Sequence, residues 1–219
     1  MKTARRPDGC LTVVTGSSRQ GKTYWTVQQI KTAPRLLVWD VMGEFSALGL
    51  CKRITSAHEL AAVINDQPGR YGFMAAPTAA NFDTFCRLAW LWIHCAPGAL
   101  VIEELADVTT PGKAPEAWGQ IVRKGLRFGV YIYALTQRPS ESDKTIMGNA
   151  TVFHTHAMAR AQDRRYMAAE MDIEQSRMDQ LLQYEFIERD MRTREIRQGG
   201  GQNSRRTART ASKKPARKA

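Results

Sequence analysis

Cysteine is scarce and dispersed in this sequence. The 219 residues contain four cysteines, Cys10, Cys51, Cys86 and Cys95, and no C-x-x-C pair. Disulfide frameworks and cysteine-based zinc sites need regular or close spacing, so we expect reduced thiols. Reduced thiols favour a cytoplasmic setting.

Long apolar runs are also missing. The most apolar stretch, residues 88–102, is interrupted by His94, Pro97 and Gly98. A membrane-spanning helix needs about 20 apolar residues, so this stretch is too short. The first residues lack the apolar core of a secretory signal peptide. We therefore expect no transmembrane segment, although attachment to a membrane through a partner stays open.

Acidic residues are absent from the last part of the chain. From residue 199 onward there are seven Lys or Arg and no Asp or Glu. The whole chain has a net charge of +11, with 32 basic and 21 acidic residues, so the remainder carries only +4. We expect a basic leader at residues 1–8, one folded domain at 9–198 and a disordered basic tail at 199–219. The tail indicates an acidic partner such as DNA, or serves solubility alone.

A glycine-rich segment near the start carries the clearest chemistry. The run "GSSRQGKT" fits the phosphate-loop pattern G-x-x-x-x-G-K-[ST] at every fixed position. Glycines allow the backbone to approach a polyphosphate closely, and a helix that begins near the second glycine directs free amides at it. The lysine reaches the β- and γ-phosphates and the threonine offers a hydroxyl to Mg²⁺. The predicted nucleotide-binding residues are Gly16, Ser17, Ser18, Arg19, Gln20, Gly21, Lys22, Thr23 and Tyr24.

Apolar strands alternate with helical segments along the chain. Predicted strands at residues 11–15, 35–40, 71–76, 99–105, 129–136 and 150–155 are separated by predicted helices. Residues 184–197 are predicted to form a final hairpin. This alternation is typical of an α/β fold with a mainly parallel sheet and helices on both faces. Trp90 and Trp92 are expected in the core.

Polar side chains follow two of these strands. "ALVIEEL" ends in Glu103 and Glu104, and "ALTQRP" places Gln137 after another strand. Carboxyl ends of parallel strands are where ligands of α/β sheets bind. We assign Glu103 to Mg²⁺, partly through water, and Glu104 to activating the attacking water. Gln137 is expected to hold that water or to sense the γ-phosphate. Solvated glutamates at a strand end and a plain loop glutamine remain the alternatives.

These segments together resemble the FtsK/HerA superfamily of DNA-pumping P-loop ATPases. The resemblance rests on "TGSSRQGKT", "LVIEELADV" and "RKGLRFGVYIYALTQRP", and on "VWDVMGEF" after the second strand. It covers about residues 11–155. Within the superfamily the sequence is most similar to the genome-packaging ATPases of tailless icosahedral phages with an internal membrane. The family usually has aspartate where Glu103 stands, which is a departure from its pattern.

The resemblance implies a RecA-like core of the ASCE division, with ATP and Mg²⁺ as ligands. It also implies a homo-oligomeric ring around double-stranded DNA, with a hexamer favoured. In such rings an arginine reaches the neighbouring subunit's nucleotide. Arg127 is the first candidate for this role and Arg123 the alternate, although a basic helix face or a DNA contact would explain either. Asp40 and Glu44 match the second-strand motif, with a catalytic, structural or interface role open.

The expected function is an ATP-hydrolysing motor that translocates double-stranded DNA and packages a viral genome into a preformed capsid. It would work in the host cytoplasm during assembly, or associated with the virion at a vertex, and dock to a capsid-vertex or membrane protein. A small-molecule or nucleotide kinase is the first alternative, and a motor for conjugation or phage export is the second. His154 and His156 alternate on one predicted strand, so we expect a structural or interfacial role for them.

Overall fold

The computed structural model describes residues 8–200. Its strands are β1 (Cys10–Thr15), β2 (Arg35–Trp39), β3 (Lys52–Ile54), β4 (Gly69–Phe73), β5 (Ala99–Ile102), β6 (Tyr131–Thr136), β7 (Val152–His156), β8 (Glu185–Asp190) and β9 (Ile196–Gly200). Its α-helices are α1 (Lys22–Ile30), α2 (Glu44–Ala47), α3 (Ala57–Val63), α4 (Ala79–Cys95), α5 (Glu116–Lys124), α6 (Lys144–Asn149), α7 (Ala161–Glu170) and α8 (Gln175–Asp179). Short 3-10 turns cover Leu105–Asp107, Gly125–Phe128 and Pro139–Glu141.

All nine strands form one sheet, in the order β3-β4-β2-β5-β6-β1-β7-β8-β9. The first seven strands in this order pair in parallel, whereas β8 pairs antiparallel with β7 and β9 pairs antiparallel with β8. The predicted parallel sheet and final hairpin are therefore confirmed. Thr15 at the end of β1 lies opposite Thr136 of β6 and Thr155 of β7, so these strands end at one common edge. We call this the carboxyl edge.

Helices cover both faces of the sheet, as predicted. Alternating strand residues such as Leu37 and Val38 point to opposite faces. On one face, α1 and α2 bury Ile30 and Phe45 against the sheet. The other face holds a larger core, to which α3 to α8 contribute buried side chains; these include Leu60, Phe82, Phe85, Trp92, Trp118, Ile146, Met167 and Met178.

Several boundaries differ from the sequence-based expectation. The helix predicted at residues 116–128 becomes a 3-10 turn at Gly125. The short elements β3, α2 and α6 were not predicted, because each is too short to show a clear period. Trp92 is buried as expected, whereas Trp90 is half-buried and packs edge-on against Phe128, with ring centroids 5.7 Å apart.

The ends of the chain bear on the predicted domain limits. β9 extends to Gly200, two residues beyond the predicted domain end at residue 198. Residues 1–7 of the predicted leader and 201–219 of the predicted tail lie outside the described residues. Within residues 8–200, every helix is too short or too polar to cross a bilayer.

Candidate active site

The phosphate loop connects β1 to α1 at the carboxyl edge, as the sequence predicts. Gly16 has a φ of 146° and Gly21 a φ of 115°, conformations that side chains disfavour. Arg19 also has a positive φ, of 60°. The residue pattern therefore follows from the shape of the loop.

His156 at the end of β7 lies directly beneath both glycines. A Cβ on Gly16 would be 2.8 Å from His156 Cβ, and a Cβ on Gly21 would be 3.0 Å from His156 Cε1. Burial lowers the pKa of His156 to about 4, helped by His154 and Lys22 and opposed by a bond to the Glu185 carbonyl. A neutral imidazole thus supports the loop from below, which bears out a structural role for this residue.

The segment after β7 also holds the loop from the side. The Ser17 amide donates to the Ala157 carbonyl at 3.0 Å, and the Ser17 hydroxyl accepts from the Ala159 amide at 2.9 Å. Ser18 and Arg19 are exposed at the tip of the loop. The base of the loop is therefore anchored, while its tip faces solvent.

His154 lies two residues before His156 in β7, and its side chain packs against α1. Its ring stacks on Trp25 of α1 with centroids 3.9 Å apart, and Nδ1 lies 2.9 Å from Glu188 Oε2. Burial lowers the pKa of His154, although Glu188 opposes this shift. The two histidines thus join α1, the phosphate loop and the terminal hairpin, in agreement with the structural role expected.

Lys22 bends back over the loop from the first turn of α1. Its ammonium donates to the carbonyls of Gly16 at 2.8 Å and Ser17 at 3.2 Å. Burial lowers the pKa of Lys22, while the negative charges of Glu104, Glu44 and Glu103 raise it. The lysine charge is therefore held where phosphate oxygens are expected, close to three carboxylates.

The first turn of α1 supplies backbone donors. The hydrogen-bonded ladder of the helix begins with the Trp25 amide, which donates to the Gly21 carbonyl at 2.9 Å. The amides of Lys22, Thr23 and Tyr24 precede this ladder, so they can donate to an anion. The Tyr24 side chain points outward and is 72% exposed. This geometry suits a phosphate group at the helix start.

Glu104 and Gln137 meet at the same edge. Gln137 Nε2 donates to Glu104 Oε1 at 2.7 Å. Glu104 adopts a left-handed backbone conformation with a φ of 47°. Non-glycine residues with such φ values are uncommon and concentrate at functional sites. The structure thus brings together two residues assigned to the attacking water.

Glu103 lies deeper than Glu104. It is 5% exposed and accepts from the Met42 amide at 3.3 Å. Burial raises the pKa of Glu103 to about 8; the Met42 amide lowers it, and nearby Asp40, Glu44 and Glu104 raise it further. A cation beside this carboxylate would reverse that shift and favour its charged form.

Thr23 contacts Glu44, whose role the sequence leaves open. Its hydroxyl donates to Glu44 Oε2 at 3.2 Å, at the start of α2. Asp40, from the same motif, instead accepts from the amides of Phe45 at 3.1 Å and Ser46 at 2.9 Å. Asp40 is fully buried, and these bonds hold the first turn of α2. The first turn of α2 therefore holds the Glu44 carboxylate next to the Thr23 hydroxyl.

The donor set fits Mg²⁺ shared with a nucleotide. Thr23, Glu44 and Glu103 offer hard oxygen ligands, which magnesium prefers. Among residues 8–200, no group of three or more His, Cys, Asp or Glu is arranged to hold a metal by itself. Mg²⁺ usually binds through one or two protein oxygens together with phosphates and water, so this partial set is sufficient.

The two candidate arginines lie at the opposite edge from the phosphate loop. Arg127 falls in the Gly125–Phe128 turn that leads into the amino end of β6, and Arg123 is in the last turn of α5. Both are exposed. The six residues of β6 span roughly 20 Å, so neither arginine reaches the loop of its own chain. A role on a neighbouring subunit stays a prediction.

Two other arginines lie at the carboxyl edge and were missed. Arg138 directly follows Gln137, and Arg160 directly follows Ala159, whose amide bonds to Ser17. Both contact Glu141. "TQRP" contains Arg138, so its position after β6 was available in the sequence. Arg160, Glu44 and His156 reach the site through folding contacts that local sequence does not reveal.

The chain is similar to known proteins in sequence and in fold. Protein P9 of Pseudoalteromonas phage PM2 is 34% identical over 171 residues, which cover 77% of this chain and 78% of P9. No protein-family model matches the chain. The genome packaging NTPase B204 from Sulfolobus turreted icosahedral virus 2, in complex with AMPPCP, has the same fold. The TM-score is 0.71 at 16% identity, over 88% of this chain and 97% of B204. The pCW3 conjugation coupling protein TcpA with ATPγS gives a TM-score of 0.52 at 12% identity, over 90% of this chain and 60% of TcpA.

Proposed function

We propose that this chain, which belongs to one family with protein P9 of Pseudoalteromonas phage PM2, is an ATP-hydrolysing motor of the FtsK/HerA superfamily that packages double-stranded DNA into a viral capsid. The observation that carries the proposal is the bond between Gln137 and Glu104 beside the phosphate loop. In the proposed reaction, this carboxylate and this amide lie where the terminal phosphate of a bound nucleotide meets water. The fold that the chain shares with the genome packaging NTPase B204 supports the choice of DNA packaging.

Hydrolysis follows from the positions of the side chains. Loop amides and Lys22 bind the β- and γ-phosphates of ATP. Gln137 orients a water molecule, and Glu104 accepts its proton as the water oxygen bonds to the γ-phosphorus. The bond from that phosphorus to the β,γ-bridging oxygen breaks, which releases ADP and phosphate. Mg²⁺ held by Thr23 with Glu44 or Glu103 would offset the charge on the phosphates when it is bound.

Translocation requires that hydrolysis change contacts with DNA. We propose that the chain assembles as a ring, with a hexamer favoured, and that Arg127 or Arg123 of one subunit reaches the next subunit's nucleotide. Their exposed position at the edge opposite the phosphate loop is compatible with this arrangement. The seven basic residues after position 200 are proposed to bind DNA phosphates without regard to sequence. Docking to a capsid vertex in the host cytoplasm, directly or through a membrane protein, completes the proposal.

A kinase would use the same phosphate loop for a different reaction. The pairing of Glu104 with Gln137 favours hydrolysis, because it provides a base and an amide for water. An export or conjugation motor would share the hydrolytic site and differ in its substrate. ATPase turnover with and without duplex DNA separates these functions.

The test is steady-state ATPase turnover of the full chain with and without duplex DNA, together with its mass in solution. We expect DNA-stimulated turnover and a multiple of the 24.6 kDa protomer. Lys22→Ala is expected to abolish turnover, whereas Lys31→Ala at the other end of α1 leaves it unchanged. Phosphate transfer to a small acceptor, with no stimulation by DNA, would favour the kinase. DNA-stimulated turnover without uptake of DNA by capsids would favour an export motor.

A further inference from the structure

Two large apolar side chains are exposed beside the phosphate loop, on the side away from the catalytic pair. Leu182 is 68% exposed and Tyr184 is 48% exposed, in the turn before β8. Exposure of apolar side chains to water is unfavourable, so we expect a ligand or a partner to cover these two at the ligand-binding edge. Their position relative to the loop suggests what covers them.

The turn lies close to the loop, with a single imidazole ring between them. His156 Cε1 is 3.0 Å from the position of a Cβ on Gly21, and His156 Nδ1 is 3.0 Å from the Glu185 carbonyl oxygen. β8 runs antiparallel to β7, with Phe186 opposite His156. The turn that contains Leu182 and Tyr184 therefore projects at the carboxyl edge next to the loop.

The direction of a bound nucleotide follows from the order of the strands. Glu104 and Gln137 follow β5 and β6, which lie on one side of β1. The γ-phosphate must be on that side, because hydrolysis occurs there. β7 and β8 lie on the other side of β1. A nucleotide extended along the loop places its α-phosphate, ribose and base toward the β7–β8 side.

We propose that the nucleobase stacks on Tyr184 and packs against Leu182, which makes the turn before β8 the base-binding site of this enzyme. The inference rests on the proposed function, since it concerns the substrate of the same site. A purine has an extended flat apolar face. Stacking of this face on an aromatic ring removes both the purine face and the ring face from water.

Hydrogen bonds and close packing restrain the turn. The Glu185 amide donates to the Leu182 carbonyl at 3.1 Å, and the Leu182 amide donates to Glu185 Oε2 at 3.0 Å. Tyr184 has a φ of 65°, and the backbone of Gly200 in β9 packs against its carbonyl so closely that a side chain there would clash. Non-glycine residues with positive φ persist where the surroundings enforce them, often at ligand sites. A rigid platform lowers the entropic cost of binding the base.

Tyr24 is the competing ring, because it is exposed in the first turn of α1. The order of the strands favours Tyr184, since it precedes β8 on the side of β1 toward which the base extends. Tyr131 offers a matched control: it is also 48% exposed but begins β6 at the opposite edge.

The test compares binding of AMPPCP with binding of inorganic tripolyphosphate to the full chain by calorimetry. Tyr184→Ala is expected to bind AMPPCP roughly tenfold more weakly, and tripolyphosphate with unchanged affinity. Tyr184→Trp should retain AMPPCP binding, and Tyr131→Ala should bind both ligands like the wild type. Tyr184→Gly removes the ring while it suits the positive φ, so it keeps the test valid if the alanine variant folds poorly.

The results distinguish failure of the base site from failure of the proposed function. Unchanged AMPPCP binding by Tyr184→Ala and Tyr184→Gly would overturn the base site, as would an equal loss of both ligands. A selective loss of AMPPCP in Tyr24→Ala alone would move the base to α1 and overturn it too. If the wild type binds neither ligand, the proposed function itself fails. If it binds both ligands and hydrolyses ATP, a negative result at Tyr184 concerns the base site alone.

Discussion

Gln137 Nε2 donates a hydrogen bond to Glu104 Oε1 at 2.7 Å, and this contact joins the ends of two parallel strands at the phosphate loop. Glu104 Oε2 is left to accept a second hydrogen bond. A water molecule between the Glu104–Gln137 pair and the γ-phosphate would donate that bond. Glu104 holds its place through a left-handed backbone conformation, which costs conformational free energy of roughly 1 kcal/mol or more. The arrangement therefore has the character of a hydrolytic site.

Glu104→Gln is expected to bind ATP normally and to lower kcat at least a hundredfold, because glutamine cannot accept the proton from water. The amide of Gln137 can still donate to the new side-chain oxygen, so the loop should keep its shape. Steady-state kinetics and calorimetry with ATP measure the two effects. Asp107→Asn, an exposed acid in the following turn, is the control and should leave kcat unchanged. Loss of ATP binding in Glu104→Gln would indicate a structural role instead.

The elements of this site that are local in sequence could be predicted from it. The phosphate loop, the strand before it and the helix after it lie within one continuous segment, so spacing and residue type suffice. Glu104 and Gln137 were also predictable, since both directly follow apolar strands that had to end at one edge. The position of Arg127 was predictable for the same reason: it precedes β6, which places it at the far edge.

Contacts between distant segments could not be predicted in this way. The bond from Thr23 to Glu44 depends on the hydrogen bonds that Asp40 accepts from amides of α2, a helix of four residues with no detectable period. The closeness of His156 to Gly21 depends on the parallel pairing of β1 with β7. A single sequence gives strand positions and leaves their order in the sheet open, so these partners required the structure.

Glu44 is expected to influence the use of Mg²⁺. Its carboxylate accepts the Thr23 hydroxyl, so Glu44→Gln should weaken the orientation of that hydroxyl toward a metal. Second-sphere partners of metal ligands typically change affinity 10- to 100-fold. We therefore expect Glu44→Gln to need roughly tenfold more Mg²⁺ for half-maximal ATPase activity. Glu59→Gln, which preserves the capping box of α3, is the control. Identical Mg²⁺ titrations for both variants would exclude this role.

Glu103 is expected to make stability depend on pH. Its pKa is about 8 in the folded protein, against an ordinary value of 4.5, so the folded state binds more protons between these limits. Stability from this group is full below pH 4.5 and decreases as the pH rises toward 8. The decrease is at most about 1.4 kcal/mol per pH unit. Glu103→Gln resembles the protonated acid and should remove this decrease.

Urea denaturation at pH 5 and pH 8, in the presence of a chelator, measures the difference. The wild type should lose more unfolding free energy between these two pH values than Glu103→Gln does. Glu59→Gln is again a suitable control, because Glu59 is exposed at the start of α3. Parallel pH profiles for wild type and Glu103→Gln would show that Glu103 is ionised in the folded protein.

The basic residues after Gly200 are expected to contribute to DNA affinity through phosphate contacts. Truncation should begin at residue 201, because Gly199 and Gly200 belong to β9 and Gly200 packs behind Tyr184. Each phosphate neutralised on duplex DNA adds about 0.9 to the slope of log affinity against log salt. Loss of all seven Lys and Arg should therefore flatten the slope by up to about 6.

Salt titrations of duplex binding separate the tail from the folded domain. A full-length variant with the seven Lys and Arg of the tail changed to Gln tests charge without changing length, and it should match the truncation. Its ATPase rate without DNA should equal that of the wild type, because the phosphate loop is untouched. A double variant, Arg123→Gln with Arg127→Gln, provides the comparison at the opposite edge of the sheet. If that variant flattens the slope and the tail variants do not, DNA binds the folded domain near α5, and the tail serves solubility.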